Sequence, residues 1–294
     1  MRVLITGAQG QVGQELLKSA PANWQIHGLG SSDLDISDAA HVMTTAQHLQ
    51  PDLIINAAAY TAVDKAQSDS ARAHAVNHRG AENLANAAQR LNCPLLHIST
   101  DYVFSGDHSE PYSEHDTPQP NSVYGESKLL GEQAIQALCK QHIILRTSWV
   151  FGLHGNNFVK TMLQLGQERD ALSIVSDQIG GPTAAASIAQ ALWQIAQQYQ
   201  RNGSCTWGIY HFSGAPTCSW YNFAQEIFAQ AVELQLLSKA PTLKAIASSD
   251  YPTPAQRPAY SVLNNSKINQ HCNIAQSHWP DQLQLMLTAL KGAQ

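Results

Sequence analysis

The chain has 294 residues, 44% of them hydrophobic, which suits a large core domain with a smaller one beside it. Charged residues make up only 13% and the net charge is -5 at pH 7, which argues against a nucleic-acid or anionic-membrane surface. Cys93, Cys139, Cys205, Cys218 and Cys272 are widely spaced with no C-x-x-C, so they read as free thiols of a cytoplasmic protein, and no signal-peptide or transmembrane stretch is found.

Val3–Thr6 reads as the first strand. Gly7, Gly10 and Gly13 follow as G-x-x-G-x-x-G and open a helix over Val12–Ala20. Such a turn lets backbone amides approach a pyrophosphate, and the helix N-terminus favours the negative charge. Gln25–Leu29 is the second strand. It ends without an acidic residue that would select the ribose 2′-hydroxyl, so NADPH and NADH both remain open. Asp35 follows in the loop and reads either as a contact near the adenosine end of a cofactor or as a cap for the helix over Asp38–Leu49. Leu53–Asn56 is the third strand, followed by the small residues Ala57, Ala58 and Ala59, which leave room for a cofactor. A helix over Ala81–Leu91 leads to a fourth strand, Pro94–Thr100.

Tyr124 and Lys128 share one face at the start of a helix whose body is read at Lys128–Lys140. An ammonium beside a phenol lowers its pKa, and the phenol then serves as general acid toward a carbonyl oxygen as hydride arrives at carbon. Thr100, with Asp101 behind it, ends the fourth strand where a hydroxyl would face that carbonyl. Ile143–Val150 is the fifth strand. Beyond it the order is less regular: a helix over Phe158–Gln167, a strand at Leu172–Val175, a helix over Ala184–Gln198, a strand at Gly208–Gly214, a helix over Trp220–Val232, an ordered loop over Ala240–Ser261 and a last helix over Asp281–Leu290. Continuous apolar strands alternating with helices predict a doubly wound parallel sheet of the Rossmann type, with a smaller mixed α/β C-terminal substrate domain. The expected division gives residues 1–150 plus about 172–213 to the dinucleotide and 151–171 plus 214–294 to the substrate. Histidines are scattered without a ligand-like spacing, so no metal site is expected.

Taken together, Gly7-x-x-Gly10-Gln11-Val12-Gly13, Ser99-Thr100-Asp101-Tyr102-Val103-Phe104, Tyr124-x-x-x-Lys128 and Arg146-Thr147-Ser148-Trp149-Val150 resemble the extended short-chain dehydrogenase/reductases. Gly155-Asn156-Asn157-Phe158, Asp177-Gln178-x-Gly180-x-Pro182-Thr183 and Tyr251-Pro252-Thr253-Pro254-Ala255-x-Arg257-Pro258 narrow the resemblance, over nearly the whole chain, to the dTDP-4-dehydrorhamnose reductases of that family. The resemblance implies NADPH- or NADH-dependent reduction of the C4 ketone of dTDP-4-dehydro-L-rhamnose to dTDP-L-rhamnose. It implies cofactor phosphates on Gly10, Gln11 and Val12, the adenosine end near Asp35 and Ile36, and the nicotinamide half near Ala59, Tyr60 and Thr61. Tyr124 would be the proton donor and Lys128 its modulator and ribose contact. Thr100 and Asp101 would touch the substrate, and Trp149 would pack on the sugar ring. Related 4,6-dehydratases carry Glu where this chain has Tyr102, which favours simple reduction. Arg257 is the candidate for the substrate diphosphate, because a guanidinium grips phosphate oxygens with paired donors. Asn156, Asn157 and Lys160 would add contacts from the opposite rim. Some relatives are magnesium-bridged dimers through three glutamates. Only Glu15 matches, with Ala186 and Ala289 at the other two positions, so a monomer or a weak homodimer without magnesium is expected. Two other readings stay open: a reductase of another nucleotide-linked 4-keto-6-deoxy sugar, and a non-catalytic subunit resembling the regulatory partner of methionine adenosyltransferase.

Overall fold

The computed structural model describes residues 1–292. The first half runs β1 (Arg2–Thr6), α1 (Gln11–Lys18), β2 (Gln25–Leu29), α2 (Ala39–Leu49), β3 (Leu53–Asn56), the short helices α3 (Val63–Ala66) and α4 (Ser70–His74), α5 (Gly80–Leu91), β4 (Leu95–Thr100), α6 (Val123–Leu138) and β5 (His142–Thr147). The second half runs β6 (Val150–Phe151), α7 (Phe158–Glu168), β7 (Ala171–Val175), β8 (Ile179–Gly180), β9 (Thr183–Ala184), α8 (Ala185–Asn202), β10 (Gly208–His211), β11 (Cys218–Ser219), α9 (Trp220–Glu233), β12 (Thr242–Ile246), α10 (Ser266–Cys272) and α11 (Trp279–Gly292).

Six strands form one parallel sheet in the order β10-β5-β4-β3-β1-β2. Alternate residues of each strand go to opposite faces. Val3, Ile5, Ile55 and Leu145 pack with Leu16 of α1 and with Ile188 and Leu192 of α8. Leu4, Ile54, Leu95 and Ile144 pack on the other face with Val42 of α2, Leu84 of α5 and Ile135 of α6. Both faces are covered, which is why these strands read as unbroken apolar runs. The connections reverse direction at β1, so β1 and β3 part at their carboxyl ends. That switch point is where open parallel sheets bind ligands.

A third apolar cluster sits apart from the sheet. Phe151, Val159, Met162, Leu172, Ile174, Phe223, Phe228 and Leu283 form its centre. The strand expected at Leu172–Val175 belongs here. It pairs with β12, a strand inside the segment expected to be loop, and its Leu172 and Ile174 face this cluster. The chain returns to the six-stranded sheet at α8, whose Ile188 and Leu192 pack on it.

Two other expectations shift for local reasons. The fifth strand stops at Thr147, because Trp149 takes φ +47 and turns the chain so that Val150–Phe151 pairs with β9. A positive φ is an outlier for a bulky side chain. The helix expected from Lys128 begins five residues earlier at Val123, where the Ser122 hydroxyl accepts from Gly125 N at 3.2 Å and caps it. This puts Tyr124 in the first turn.

Beneath the carboxyl ends lies a buried ion pair. Arg146 of β5 is 2% exposed and Glu132 of α6 is 0% exposed. Arg146 Nε donates to Oε1 at 3.0 Å and its NH2 donates to Oε2 at 2.6 Å. The Arg146 guanidinium also lies 5.0 Å from the centre of the Phe104 ring. Arg146→Met leaves the carboxylate buried without its partner, and a loss of about 3–5 kcal/mol in urea unfolding is expected. The double variant Arg146→Met/Glu132→Leu should recover at least half of it; a double variant as unstable as the single one contradicts this account of the pair.

Candidate active site

The cofactor crevice starts where β1 ends. Gly7 has φ +72, and a Cβ there would come 2.6 Å from the Ala57 carbonyl oxygen at the end of β3. A Cβ on Gly13 would come 2.7 Å from Ala8 Cα, so only glycine lets α1 close on the turn. Gly10 is the N-cap of α1 and supplies no side-chain acceptor. The amides of Gln11, Val12 and Gly13 precede the first possible intrahelical acceptor, so they are donors for an anion. These features fit a dinucleotide pyrophosphate. Gln11 is itself held: Asn157 Nδ2 donates to its Oε1 at 3.0 Å.

Farther along the crevice, Asp35 does not cap α2. Asp38 does, accepting from His41 N at 3.0 Å. Asp35 accepts from the Ser37 hydroxyl at 2.6 Å and pairs with Arg72 at 3.2 Å. The Ser37 bonds first, and Arg72 after them, hold its carboxyl below the usual range. Ile36 is buried with its side chain against Gly80. Past β3, the backbone of Tyr60 is clamped from both sides. Tyr60 N donates to Asn77 Oδ1 at 2.8 Å, and Asn77 Nδ2 donates to Tyr60 O at 3.1 Å. Asn77 lies on a π-turn over Ala75–Arg79 and is 1% exposed. The ring hydroxyl of Tyr60 points away, to Asp69 at 3.2 Å.

Tyr124 and Lys128 lie one turn apart on α6, buried against β4. Lys128 Nζ donates to the Ile98 carbonyl at 2.6 Å and stands 3.2 Å from His97 Nε2. Burial pulls its pKa down to about 8, against the pull of Glu132. Burial pushes Tyr124 up to about 12, a rise that Thr100 opposes and Asp101 reinforces. The sequence pattern suggested a phenol lowered by its lysine; in the structure burial outweighs that effect, because the ammonium end turns toward β4.

Thr100 Oγ1 donates to Asp101 Oδ1 at 3.0 Å. Asp101 is 1% exposed and its Oδ2 has no partner among the described residues. Ser99 Oγ and Thr147 Oγ1 are likewise buried and unpaired there. In register, Thr100 lies beside Thr147 at the ends of adjacent strands. An unsatisfied buried oxygen is expensive for folding, and that of Asp101, next to Thr100, fits a place for a polar ligand.

A cleft of about 1250 Å³ opens beside this point. Thr61, Tyr102, Trp220, Gln178, Tyr251 and Arg257 line it. It ends at Tyr102, whose ring meets Tyr124 edge-on with centroids 5.6 Å apart. Arg257 is gripped through its fork by Asp64 of α3, with NH1 to Oδ1 at 3.1 Å and NH2 to Oδ2 at 2.7 Å. The Arg257 hydrogen bonds hold the Asp64 carboxyl below the usual range.

Trp149, Asn156, Asn157 and Lys160 are not among the residues that line the cleft. The ring of Trp149 stacks on Trp220 at 3.6 Å and 7° and covers Gly180. Trp220 takes the wall position, with its Nε1 donating to Gln178 Oε1 at 3.2 Å. Asn157 caps α7 and holds Gln11, so its side chain is spent. Asn156 is exposed, and Lys160 Nζ donates to Gly155 O at 3.1 Å. Sequence reasoning missed Asn56, Asp64, Asn77, His97 and Trp220. Only His97 left a signal, a polar residue inside the apolar run Leu95-Leu96-His97-Ile98.

The family model described as RmlD substrate binding domain matches residues 1–291. A dTDP-4-dehydrorhamnose reductase of Aggregatibacter actinomycetemcomitans is 48% identical over 280 residues, which is 95% of each chain. The crystal structure of a dTDP-4-dehydrorhamnose reductase from Clostridium acetobutylicum superimposes with a TM-score of 0.92 at 36% identity, covering 99% of this chain and 100% of that one. One from Bacillus anthracis, in complex with NADP, gives 0.90 at 36% identity over 98% of this chain and 99% of that one.

Asp101 provides a test of the orphaned charge. Burial lifts its pKa from 3.8 to about 6, so the folded state favours the protonated acid. The stability this confers is complete below about pH 4 and is lost as pH rises through about 6. Asp101→Asn keeps the shape without the charge. At pH 8 it should be more stable than the unsubstituted protein by about 2–3 kcal/mol, with the difference vanishing near pH 4. Urea titrations at the two pH values decide it, and a pH-independent difference contradicts the reading.

Proposed function

The chain belongs to the RmlD family of dTDP-4-dehydrorhamnose reductases, and from that premise we propose that it reduces the C4 ketone of dTDP-4-dehydro-L-rhamnose to dTDP-L-rhamnose with NADPH or NADH. The observation that carries this reading is a buried Tyr124 beside Thr100, one ring away from a cleft lined by Arg257. The Gly7–Gly13 turn, with Asp35, Ile36 and Ala59–Thr61, would hold the nicotinamide cofactor, which would supply the hydride when bound. Residues 1–150 with about 185–213 form the part that holds it, and the remainder surrounds the sugar nucleotide.

The rest of the chemistry belongs to the chain. Tyr124 keeps its proton at neutral pH because burial disfavours the phenolate, and it delivers that proton to the ketone oxygen. The single hydroxyl proton of Thr100, given to Asp101 at 3.0 Å in the resting site, turns to the same oxygen when the ketone arrives. Burial of this end of β4 excludes water. Arg257 receives the diphosphate in two-pronged fashion, sharing or leaving Asp64 as it does so. Tyr102 supplies no carboxylate for removing a proton next to the ketone, so elimination has no base at that position. Trp149 backs Trp220, and Asn156 approaches only from the open rim. The chain acts as a monomer or a weak homodimer without a magnesium bridge, because Ala186 and Ala289 stand at two of the three positions where magnesium-bridged relatives carry glutamate. Its five free thiols suit a reducing cytoplasm.

Purified protein given dTDP-4-dehydro-L-rhamnose should consume NADPH or NADH, followed by nicotinamide absorbance. Tyr124→Phe should cut kcat by about 10²-fold or more. No turnover by folded protein with either cofactor sinks the proposal, and a panel of other nucleotide-linked keto-sugars fixes the substrate. Arg257→Gln should raise KM for the sugar nucleotide about tenfold or more, with kcat changed far less, as expected when a charged hydrogen bond to a remote group is removed.

A further inference from the structure

A chain of buried polar side chains connects the crevice to Lys128. Thr6 ends β1, Asn56 ends β3, His97 lies within β4, and Lys128 lies on α6; each is at most 2% exposed. Thr6 Oγ1 donates to Asn56 Oδ1 at 2.7 Å, and the backbone amide of Ala58 donates to the same oxygen at 3.0 Å. Asn56 Nδ2 lies 2.8 Å from His97 Nδ1, and His97 Nε2 lies 3.2 Å from Lys128 Nζ.

The polarity of this chain follows from one fact. A backbone N–H only donates, so the atom of Asn56 facing Ala58 must be the oxygen. The amide nitrogen therefore faces His97 and donates to Nδ1, which must carry a lone pair. A neutral imidazole with a lone pair on Nδ1 bears its proton on Nε2. Full burial disfavours the doubly protonated ring, so the neutral form is the one present. The Nε2–H then points at Lys128 Nζ. An ammonium in that position meets donor with donor, whereas an amine offers its lone pair and still donates to the Ile98 carbonyl.

We propose that His97 is a positioning residue whose Nε2–H, oriented by Asn56, faces Lys128 Nζ as a second donor and so favours loss of the lysine proton. Lys128 is still an ammonium at neutral pH, but it releases its proton to its surroundings more readily than an ordinary lysine. The same chain ties its proton to the Ala58 amide, and Ala58 lies against Gly7 in the crevice. Groups bearing on Lys128 come from several elements. Glu132 of α6 favours the ammonium, but its carboxylate is already bound by Arg146 of β5. Asp101, after β4, bears on Tyr102 and Tyr124. Burial acts on Lys128 in the same direction as His97.

The inference rests on Lys128 being the partner of Tyr124, yet it is read on Lys128 itself. The test is NMR of the full chain labelled with 13C at lysine Cε and 15N in histidine rings, with Lys128→Met identifying the resonance. The unsubstituted protein should show His97 protonated at Nε2 and a Lys128 midpoint at or below about 8. His97→Gln offers Lys128 an acceptor oxygen and should raise that midpoint by at least one pH unit, with the alkaline limb of the kcat profile moving in step. A His97 ring protonated at Nδ1, a Lys128 midpoint near the ordinary value of about 10.4, or a folded His97→Gln variant with an unmoved midpoint each overturns the proposal. The ring and midpoint readings need no variant, so a misfolded substitution does not blunt the test. Absence of turnover with these titrations intact would instead strike at the reductase reading.

Discussion

A lysine side chain buried to 2% exposure is the constraint on which the site turns. Removing an ammonium from water is costly, and a protein meets that cost with hydrogen bonds or by giving up the charge. Lys128 is met by the Ile98 carbonyl on β4 and by His97 beside it. Because Nζ is anchored to β4, α6 must lie along that strand. Tyr124, one turn earlier on the same face, then arrives at the carboxyl end of β4 next to Thr100. The spacing of two residues on a helix becomes a catalytic geometry only because the second is pinned. Gly125 completes the fit, since a side chain there would press on Pro120 and on the Tyr102 carbonyl.

The parts of the molecule that were legible in the sequence are those written in local patterns. The glycine turn, the apolar strands and the Tyr124–Lys128 spacing each lie within a dozen residues, and each carries its own physical reason. What was not legible depends on contacts between distant positions. Asp64 and Arg257 meet across 193 residues of chain, and nothing near Asp64 announces its partner. β7 looked like a member of the central sheet because its apolar run is the same as theirs, but its edge pairs with β12. Trp149 was expected on the sugar ring from the family resemblance alone. Its positive φ swings the ring onto Trp220, which then presents the aromatic wall. Asn157, expected as a contact from the opposite rim, caps α7 instead, accepting from Lys160 N at 3.2 Å.

The buried polar groups divide by how they are satisfied. Arg146 and Glu132 satisfy one another and hold β5 to α6. His211, in contact with Arg146, is pushed down to about 3 by burial and then by that guanidinium, so it stays neutral. These groups lie beneath the site and are complete without a ligand. Asp101, Ser99 and Thr147 lie at the strand ends and are incomplete. Folding tolerates such groups where function needs them, and Asp101 is the one of the three bonded to Thr100.

The resting site has a further coherence. Tyr124 is neutral because its anion is disfavoured by burial, and His97 is neutral because its cation is. Lys128, at about 8, carries the one positive charge of the triplet at neutral pH, and it stands ready for the ketone oxygen as that becomes an alkoxide. Fixed dipoles and transferable protons in a dry site act most strongly on charge that develops during reaction, since they have not been spent on the ground state. Reduction asks for a donor that holds its proton until hydride arrives, and a phenol raised by burial is better suited to that than one already ionised by its lysine.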